Sequence, residues 1–167
     1  MKPIYLIGFM GSGKTTLGKK IAKYFNFNFI DLDEYIETKY NLSISSIFEK
    51  YGETYFRTIE RDTLKELSEF NNTIISTGGG TTCYFDNISY MNNNGITIFF
   101  DEDIDIIYNR LLNDKNKRPL IANLSNSEIY KYITSTLDLR KKYYNNCKLK
   151  INSNRLKKLS EQLYGSN

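Results

Sequence analysis

The 167-residue chain contains no histidine, only two cysteines and only two prolines. The absence of histidine excludes Ser-His-Asp catalysis, His-ligated zinc and imidazole acid-base chemistry. Cys83 and Cys147 lie far apart in the sequence, so the sequence indicates neither a CxxC redox or zinc motif nor a disulfide framework. Any catalysis therefore has to use carboxylates, lysine, arginine and backbone amides.

Long apolar runs are also missing. The longest one, at residues 4–7, is far below the roughly 18 apolar residues that a membrane helix needs. The N-terminus lacks the apolar region and cleavage site of a secretory signal, so we expect a cytoplasmic protein. The content of 40% hydrophobic and 14% aromatic residues predicts a folded chain, and its length suits one domain over residues 1–167.

The charge balance is mildly basic, with a formal net charge of +4. Such a balance suits an anionic small substrate as well as a nucleic acid, so charge alone does not decide between them. A nucleic-acid binder needs a coherent basic face with interleaved stacking aromatics, whereas the Tyr and Phe residues here mostly follow helix or strand periodicity. We therefore expect small-molecule substrates, and neither a nucleic acid nor a membrane as partner.

Short apolar runs alternate with helical segments along the chain. This alternation predicts an α/β fold with crossover connections, a parallel sheet and helices on both faces. In such sheets ligands bind beyond the carboxyl ends of the strands. Strands are predicted at residues 4–7, 27–31, 73–77, 96–100 and 148–151. Helices are predicted at residues 14–25, 33–39, 44–50, 53–70 and 155–164, and two more are predicted to begin at residues 104 and 125.

Residues 8–15, with the sequence GFMGSGKT, satisfy the phosphate-loop pattern G-x-x-x-x-G-K-[ST] between a predicted strand and a predicted helix. Glycines let successive N–H groups point into one concavity, and the helix N-terminus adds partial positive charge. Lys14 would then reach the β- and γ-phosphates of ATP, and the Thr15 hydroxyl would ligate Mg²⁺. The alternative is a simple glycine turn. The predicted ATP-binding residues are Gly11, Ser12, Gly13, Lys14, Thr15 and Thr16.

Two carboxylates follow the second predicted strand, at Asp31 and Asp33. Since side chains alternate in an extended segment, both are expected to point to the same side. Beside a triphosphate, one carboxylate can hold Mg²⁺ through water while the other accepts a hydrogen bond from the attacking hydroxyl. The alternative is that Asp33 caps the following helix and Asp31 is a solvated strand end.

Candidate anion-binding groups lie farther along the chain. The triplet at residues 78–80 follows a strand and lets a ligand approach the main chain closely, although it could also be a flexible turn. Arg57 and Arg140 lie in predicted helices, where an arginine taken alone is more often a surface salt-bridge partner. Arg118 lies in an aperiodic basic loop that suits a lid over the phosphates, or else a solvated charge run or nucleic-acid patch.

Taken together, these motifs resemble those of the shikimate kinase family, and the resemblance covers nearly the whole chain. Asp-x-Asp, Gly-Glu-x-x-Phe-Arg and the glycine triplet, in this order after a phosphate loop, are specific to that family. The segments that carry the resemblance are residues 8–18, Asp31-Leu32-Asp33, Ser43-Ile44, Ile47-Phe48-Glu49, Gly52-Glu53, Phe56-Arg57, Glu60, Ser76 to Gly80, Arg118-Pro119-Leu120, and Arg140 with Tyr144.

The resemblance implies a small, monomeric, cytoplasmic kinase with a P-loop three-layer α/β sandwich of the nucleoside monophosphate kinase type and a five-stranded parallel sheet. It implies a shikimate-binding helical region at about residues 33–61 and a lid at about 113–126. The implied reaction transfers the γ-phosphoryl group of ATP, with Mg²⁺, to the 3-hydroxyl of shikimate, in the route to chorismate and aromatic amino acids.

The resemblance also implies roles for individual residues. The catalytic residues would be Lys14, Asp33 and the lid arginine Arg118, which also binds ATP. The shikimate contacts would be Asp33, Arg57, Gly79 and Arg140, and the two arginines would bind the carboxylate. Thr15 would ligate the metal directly, Asp31 would act on it through water, and Ser76 would belong to the surrounding shell.

Two other functions compete with this interpretation. A related kinase acting on another sugar acid or on a nucleotide fits the segment at residues 52–57 and the glycine triplet less well. A regulatory module that has lost catalysis predicts the loss of Lys14, Asp33, Arg57 or Arg118, and all four are present.

Overall fold

The fold is organised around a single parallel sheet in the computed structural model, which describes residues 1–115, 120–152 and 154. The strands are β1 (Ile4–Ile7), β2 (Asn28–Asp31), β3 (Thr73–Ser76), β4 (Ile96–Phe100) and β5 (Leu149–Ile151). The helices are α1 (Lys14–Phe25), α2 (Leu32–Tyr40), α3 (Ile44–Leu67), α4 (Asn87–Asn94), α5 (Ile104–Asn113) and α6 (Asn126–Tyr144), with a short 3₁₀ helix at Thr81–Cys83. The strand order is β2-β3-β1-β4-β5, and every pair is parallel.

The predicted α/β architecture is confirmed, and the predicted strands lie within one residue of their observed bounds. The two helix breaks also occur where the sequence indicates them. Asn41 ends α2 with a φ of 52°, and Gly52 interrupts α3 with a φ of 80°. The helix predicted over residues 155–164 lies outside the described residues.

Side chains of the central strand alternate between the two faces of the sheet. Tyr5 and Ile7 of β1 pack in a core cluster with residues of α2, α3 and α4, whereas Leu6 packs in a second cluster with Ala22 of α1. These three β1 residues are completely buried, which is why the run carries no polar residue. Among the helices of the described ranges, none has the length and apolar character to cross a membrane.

A third core cluster fixes the phosphate loop and one end of the predicted lid. Phe9 packs there against Ile107 and Leu111 of α5 and against Ile129 of α6. Ile121, from the segment between α5 and α6, is completely buried in the same cluster. The described end of that segment is therefore anchored in the core.

Helix α1 approaches the sheet at Gly18, where there is no room for a side chain. A Cβ atom added there would lie 2.6 Å from the Phe29 ring and 2.7 Å from Leu6 Cδ1. We expect Gly18→Ala to lower the free energy of unfolding by about 1–3 kcal/mol, because this overpacking outweighs alanine's better helix propensity. Urea unfolding checks it, with Lys23→Ala on the exposed side of α1 as control; an unchanged or more stable Gly18→Ala protein would contradict it.

Candidate functional site

The phosphate loop lies at the carboxyl end of β1 and leads directly into α1. Its backbone takes positive φ at Gly11 (76°) and Gly13 (101°), and Gly13 is the N-cap residue of α1. These conformations, which favour glycine, turn the chain into the helix. Six of the seven predicted ATP-binding residues line a cavity of about 750 Å³: Gly11, Ser12, Gly13, Lys14, Thr15 and Thr16. The seventh, Arg118, lies outside the described residues.

Two buried polar groups mark this loop as an anion site. The Lys14 side chain is folded into the loop, where Nζ donates to the carbonyls of Gly8 (2.8 Å) and Phe9 (2.9 Å). Ser12 Oγ is buried and has no hydrogen-bond partner among the described residues. An orphaned buried hydroxyl is costly. A phosphate oxygen in the cradle would relieve that cost and would attract the Lys14 cation.

Arg110 supports the phosphate loop and was not predicted to do so. Its Nη1 donates to the carbonyls of Gly11 (3.1 Å) and Ser12 (3.0 Å), and its Nη2 lies 3.4 Å from the buried carboxylate of Glu102. These bonds engage loop carbonyls that would otherwise compete with a phosphate for N–H groups. The available sequence signal is its position in α5 directly before Leu111, which packs beneath the loop.

Asp31 and Asp33 share the cavity, but the predicted reason for this is wrong. Leu32 already belongs to α2, so the two aspartates do not alternate along one extended strand. Asp31 ends β2 and is the N-cap residue of α2, where its Oδ1 accepts from the Asp33 backbone N–H at 3.2 Å. The first turn of the helix then brings Asp33 into the cavity that Asp31 also lines. The capping alternative thus applies to Asp31, not to Asp33.

Oxygen atoms from three elements converge at the start of α1. The Thr15 hydroxyl donates to Asp31 Oδ2 at 2.9 Å and lies 3.3 Å from Ser76 Oγ, at the end of β3. The strand register explains why the Asp31 and Ser76 side chains lie close together, because these two residues pair directly in the sheet. Two hydroxyls and a carboxylate form a donor set of the hard-oxygen type that Mg²⁺ prefers.

The pKa of Asp33 is raised from its ordinary value to about 7. Burial is the largest cause, and the negative charges of Asp31 and Glu60 add to it, while the Lys14 cation opposes the shift. The folded protein therefore holds this carboxyl near the midpoint of its titration at neutral pH.

A second cavity, of about 260 Å³, adjoins the first and contains both arginines predicted to bind an anion. Arg57 and Arg140 line it together with apolar side chains such as Phe48 and Phe56. Asp33 lines both cavities and is the titratable residue that they share among the described residues. The arrangement places a carboxyl between a phosphate cradle and a pocket that combines two cations with an apolar wall.

Arg57 is not the surface salt-bridge partner that its position in a helix allows. Its side chain is only 12% exposed, and its Nη1 donates to Glu60 Oε2 at 2.9 Å. Glu60 is almost completely buried, and its other oxygen accepts from the Thr81 hydroxyl at 2.6 Å. Sequence reasoning assigned no role to Glu60, although its position three residues after Arg57 on one helix places the two side chains together.

Gly79 lies close to the Arg140 side chain. A Cβ atom added at Gly79 would lie 3.3 Å from Arg140 Nη1 and 3.4 Å from the backbone N of Met10. The Gly79 carbonyl accepts from the Tyr144 hydroxyl at 2.5 Å, which ties the triplet to the end of α6. The triplet is therefore a close contact between elements rather than only a turn. Arg118 lies outside the described residues, as does the rest of residues 116–119 of the predicted lid.

Comparisons with known proteins agree with these features. A family model described as "Shikimate kinase" matches residues 10–164. The chain belongs to the shikimate kinase family. This confirms the resemblance inferred from the sequence motifs.

Individual relatives are similar over most of their length. A shikimate kinase from Phocaeicola vulgatus is 45% identical over 148 residues, which cover 89% of this chain and 85% of that protein. The crystal structure of shikimate kinase from Bacteroides thetaiotaomicron has a TM-score of 0.90 at 37% identity and covers 97% of this chain and 98% of its own. A shikimate kinase from Acinetobacter baumannii, described in complex with shikimate, has a TM-score of 0.83 at 32% identity, with 98% and 93% covered.

Proposed function

We propose that the protein transfers the γ-phosphoryl group of ATP to the 3-hydroxyl of shikimate, which gives shikimate 3-phosphate and ADP in the route to chorismate and aromatic amino acids. The observation that carries this function is the junction of the two cavities at Asp33. A phosphate donor on one side and an anionic acceptor on the other would meet at one carboxyl group. Family membership and the shikimate complex of the A. baumannii relative support the identity of the acceptor.

On the donor side, the loop residues from Gly11 to Thr16 bind the phosphates of ATP, and Lys14 moves from the carbonyls of Gly8 and Phe9 to the β- and γ-phosphates. Phosphoryl transfer depends mainly on positioning and charge stabilisation, which explains how a chain without histidine can catalyse it. Arg118 is proposed as the lid arginine that stabilises charge on the transferring group.

On the acceptor side, Arg57 and Arg140 bind the shikimate carboxylate through charge-assisted hydrogen bonds. The absence of a side chain at Gly79 leaves space for the ring beside Arg140. Asp33 binds the ring hydroxyls and accepts the proton of the hydroxyl that attacks the γ-phosphorus. A rigid acceptor with one carboxylate and several hydroxyls thus meets two cations, one carboxyl group and backbone amides.

Mg²⁺ is the proposed cofactor, and the convergent oxygen atoms of Thr15, Asp31 and Ser76 fit it. Thr15 Oγ1 would be a direct ligand, Asp31 would act through a water molecule, and Ser76 would belong to the surrounding shell. The ion supplies positive charge that offsets the charge of the phosphates.

Three further proposals rest on the family resemblance. The chain is one catalytic domain, with its phosphate loop at residues 8–15, its shikimate-binding region at about 33–61 and its lid at about 113–126. It acts as a monomer, and it acts in the cytoplasm.

The proposed reaction is tested by ADP production from ATP and Mg²⁺, with and without shikimate, and with gluconate and nucleoside monophosphates as other acceptors. We expect strong stimulation by shikimate alone. ATP binding without acceptor-dependent turnover would favour the regulatory module, and stimulation by another acceptor would favour a related kinase.

A further inference from the structure

The guanidinium of Arg57 is surrounded by three aromatic rings. Its Cζ lies 4.0 Å from the ring centroid of Tyr84, 5.0 Å from that of Phe56 and 5.9 Å from that of Phe48. Phe48 and Phe56 line the second cavity, whereas Tyr84 is not among the described residues that line it. Tyr84 thus makes the shortest of the three contacts, and it does so without facing the space that a ligand would fill.

Tyr84 is also connected to Arg57 through Glu53. The Tyr84 hydroxyl donates to Glu53 Oε1 at 2.6 Å, and the same oxygen accepts from Arg57 Nε (3.3 Å) and Nη2 (3.1 Å). The bond raises the pKa of Tyr84 and, with the Arg57 bonds, holds the pKa of Glu53 below its ordinary value. Glu53 is half exposed, so without the Tyr84 bond water would compete for this carboxylate.

The hydrogen bonds of Arg57 leave two N–H donors of its guanidinium for an anion. Within the described part of the chain, the bonds to Glu53 and Glu60 use three of the five N–H donors of an arginine. One donor remains on each terminal nitrogen, and two donors on one guanidinium suit the two oxygen atoms of a carboxylate. Holding the guanidinium plane in place therefore decides whether both donors point at the acceptor together.

The segment that carries Tyr84 is itself fixed at both ends. Before it, the 3₁₀ helix at Thr81–Cys83 is held by the bond from Thr81 to Glu60. After it, the completely buried Asn87 donates to the Thr81 carbonyl at 2.8 Å. Phe85, next to Tyr84, has a φ of 51°, a conformation that bulky residues rarely adopt. The surroundings thus maintain an uncommon turn that presents the Tyr84 ring to Arg57.

From this geometry we infer that Tyr84 is a positioning residue, which holds the Arg57 guanidinium against the carboxylate of the acceptor and so determines acceptor affinity. The inference rests on the proposed function, because it takes Arg57 as a shikimate ligand. Tyr84 contacts neither the phosphate cavity nor the reacting groups, so its removal affects acceptor binding rather than ATP binding or the chemical step.

Steady-state kinetics of three variants test the inference. We expect Tyr84→Leu to raise KM for shikimate about tenfold, since the free energy of a partly desolvated cation–π contact corresponds to a change in affinity of about that size. We expect kcat to change less than about threefold and KM for ATP less than about twofold. Tyr84→Phe keeps the ring and loses the bond to Glu53, so its KM lies between those of the wild type and Tyr84→Leu. If Tyr84→Leu does not fold, a raised shikimate KM in Tyr84→Phe decides the question.

Phe85→Leu is the matched control, because Phe85 is the neighbouring aromatic residue and lies over a different arginine, Arg61, at 5.5 Å. We expect its shikimate KM to remain that of the wild type. The inference is overturned if the Tyr84 variants leave the shikimate KM unchanged, if they raise the ATP KM equally, or if Phe85→Leu has the same effect.

A second measurement needs no substrate. In ¹⁵N-edited NMR spectra of the ligand-free protein, the Nε–H signal of Arg57 is assigned from its loss in Arg57→Gln. We expect this signal to shift or broaden in Tyr84→Leu and to stay in place in Phe85→Leu. If the wild type does not phosphorylate shikimate although the signal responds, the proposed function alone fails. If the wild type is active and neither the signal nor the KM responds, the Tyr84 inference alone fails.

Discussion

Asp33→Asn is expected to lower kcat by about 10²–10³-fold, because the amide cannot accept the proton of the attacking hydroxyl. The substitution keeps nearly the same shape, and the phosphate loop and both arginines stay in place. The KM values for ATP and shikimate should therefore change much less than kcat. Steady-state kinetics with each substrate varied in turn measure both parameters.

The same substitution is expected to stabilise the ligand-free protein at pH 8. The folded-state pKa of Asp33, about 7, is above its ordinary value of 3.8, so the folded protein binds this proton more tightly than the unfolded chain does. Its contribution to stability is therefore present below about pH 4 and is lost as the pH rises to about 7. Asn carries no charge at any pH, so Asp33→Asn should gain roughly 1–3 kcal/mol at pH 8 and less at pH 5.

Thermal unfolding at pH 5 and pH 8, in the presence of EDTA and without nucleotide, measures this difference. Asp138→Asn, on the exposed surface of α6, is the control and should change neither kcat nor the pH dependence of stability. A kcat within about threefold of the wild type would remove Asp33 from the proton transfer. A lower stability of Asp33→Asn at pH 8 would show that burial of this carboxyl is not costly.

The sheet was predictable from the sequence because its strands are short, buried and flanked by turn residues. Each of these signals is local, as in the apolar run of β1 before Gly8. Helix α4 was not predicted, since four of its eight residues are asparagine, which favours turns over helices. Burial of Ile88 and Met91 against the sheet and hydrogen bonds such as the one from Asn87 to Thr81 stabilise it, and both depend on the tertiary structure.

The site follows the same division between local and distant signals. The phosphate loop is one continuous segment, so its residues were found directly from their spacing. The partners that support the two cavities are distant: Arg110 contacts Gly11 of the phosphate loop across 99 positions, and Tyr84 contacts Glu53 beside the second cavity across 31. Such contacts leave no periodic pattern in a single sequence, because the crossover connections of the fold create them. Predicting the acceptor residues required the family resemblance, whereas identifying what holds them in place required the structure.

Arg57→Gln is expected to produce two separate defects. The first is in binding: KM for shikimate should rise about 100-fold, because the charge-assisted hydrogen bonds to the carboxylate are lost, while KM for ATP stays within about threefold. The second is in folding. Glu60 is almost completely buried, and without Arg57 its negative charge loses the one ion-pair partner that it has among the described residues. Removing one partner of a buried ion pair costs about 3–5 kcal/mol.

The double variant Arg57→Gln/Glu60→Gln separates these defects. With Glu60 also replaced by a neutral side chain, position 60 no longer carries a buried charge without its partner, and the new amide oxygen can still accept the hydrogen bond from Thr81. Urea unfolding should therefore show most of the lost stability restored, whereas the shikimate KM should stay as high as in Arg57→Gln. If the double variant regained shikimate affinity together with stability, Arg57 would act only by maintaining the fold. Arg57 bonds to Glu60 through one N–H group and keeps other N–H groups for the acceptor. The stability of the fold and the binding of the acceptor therefore depend on different N–H groups of one guanidinium.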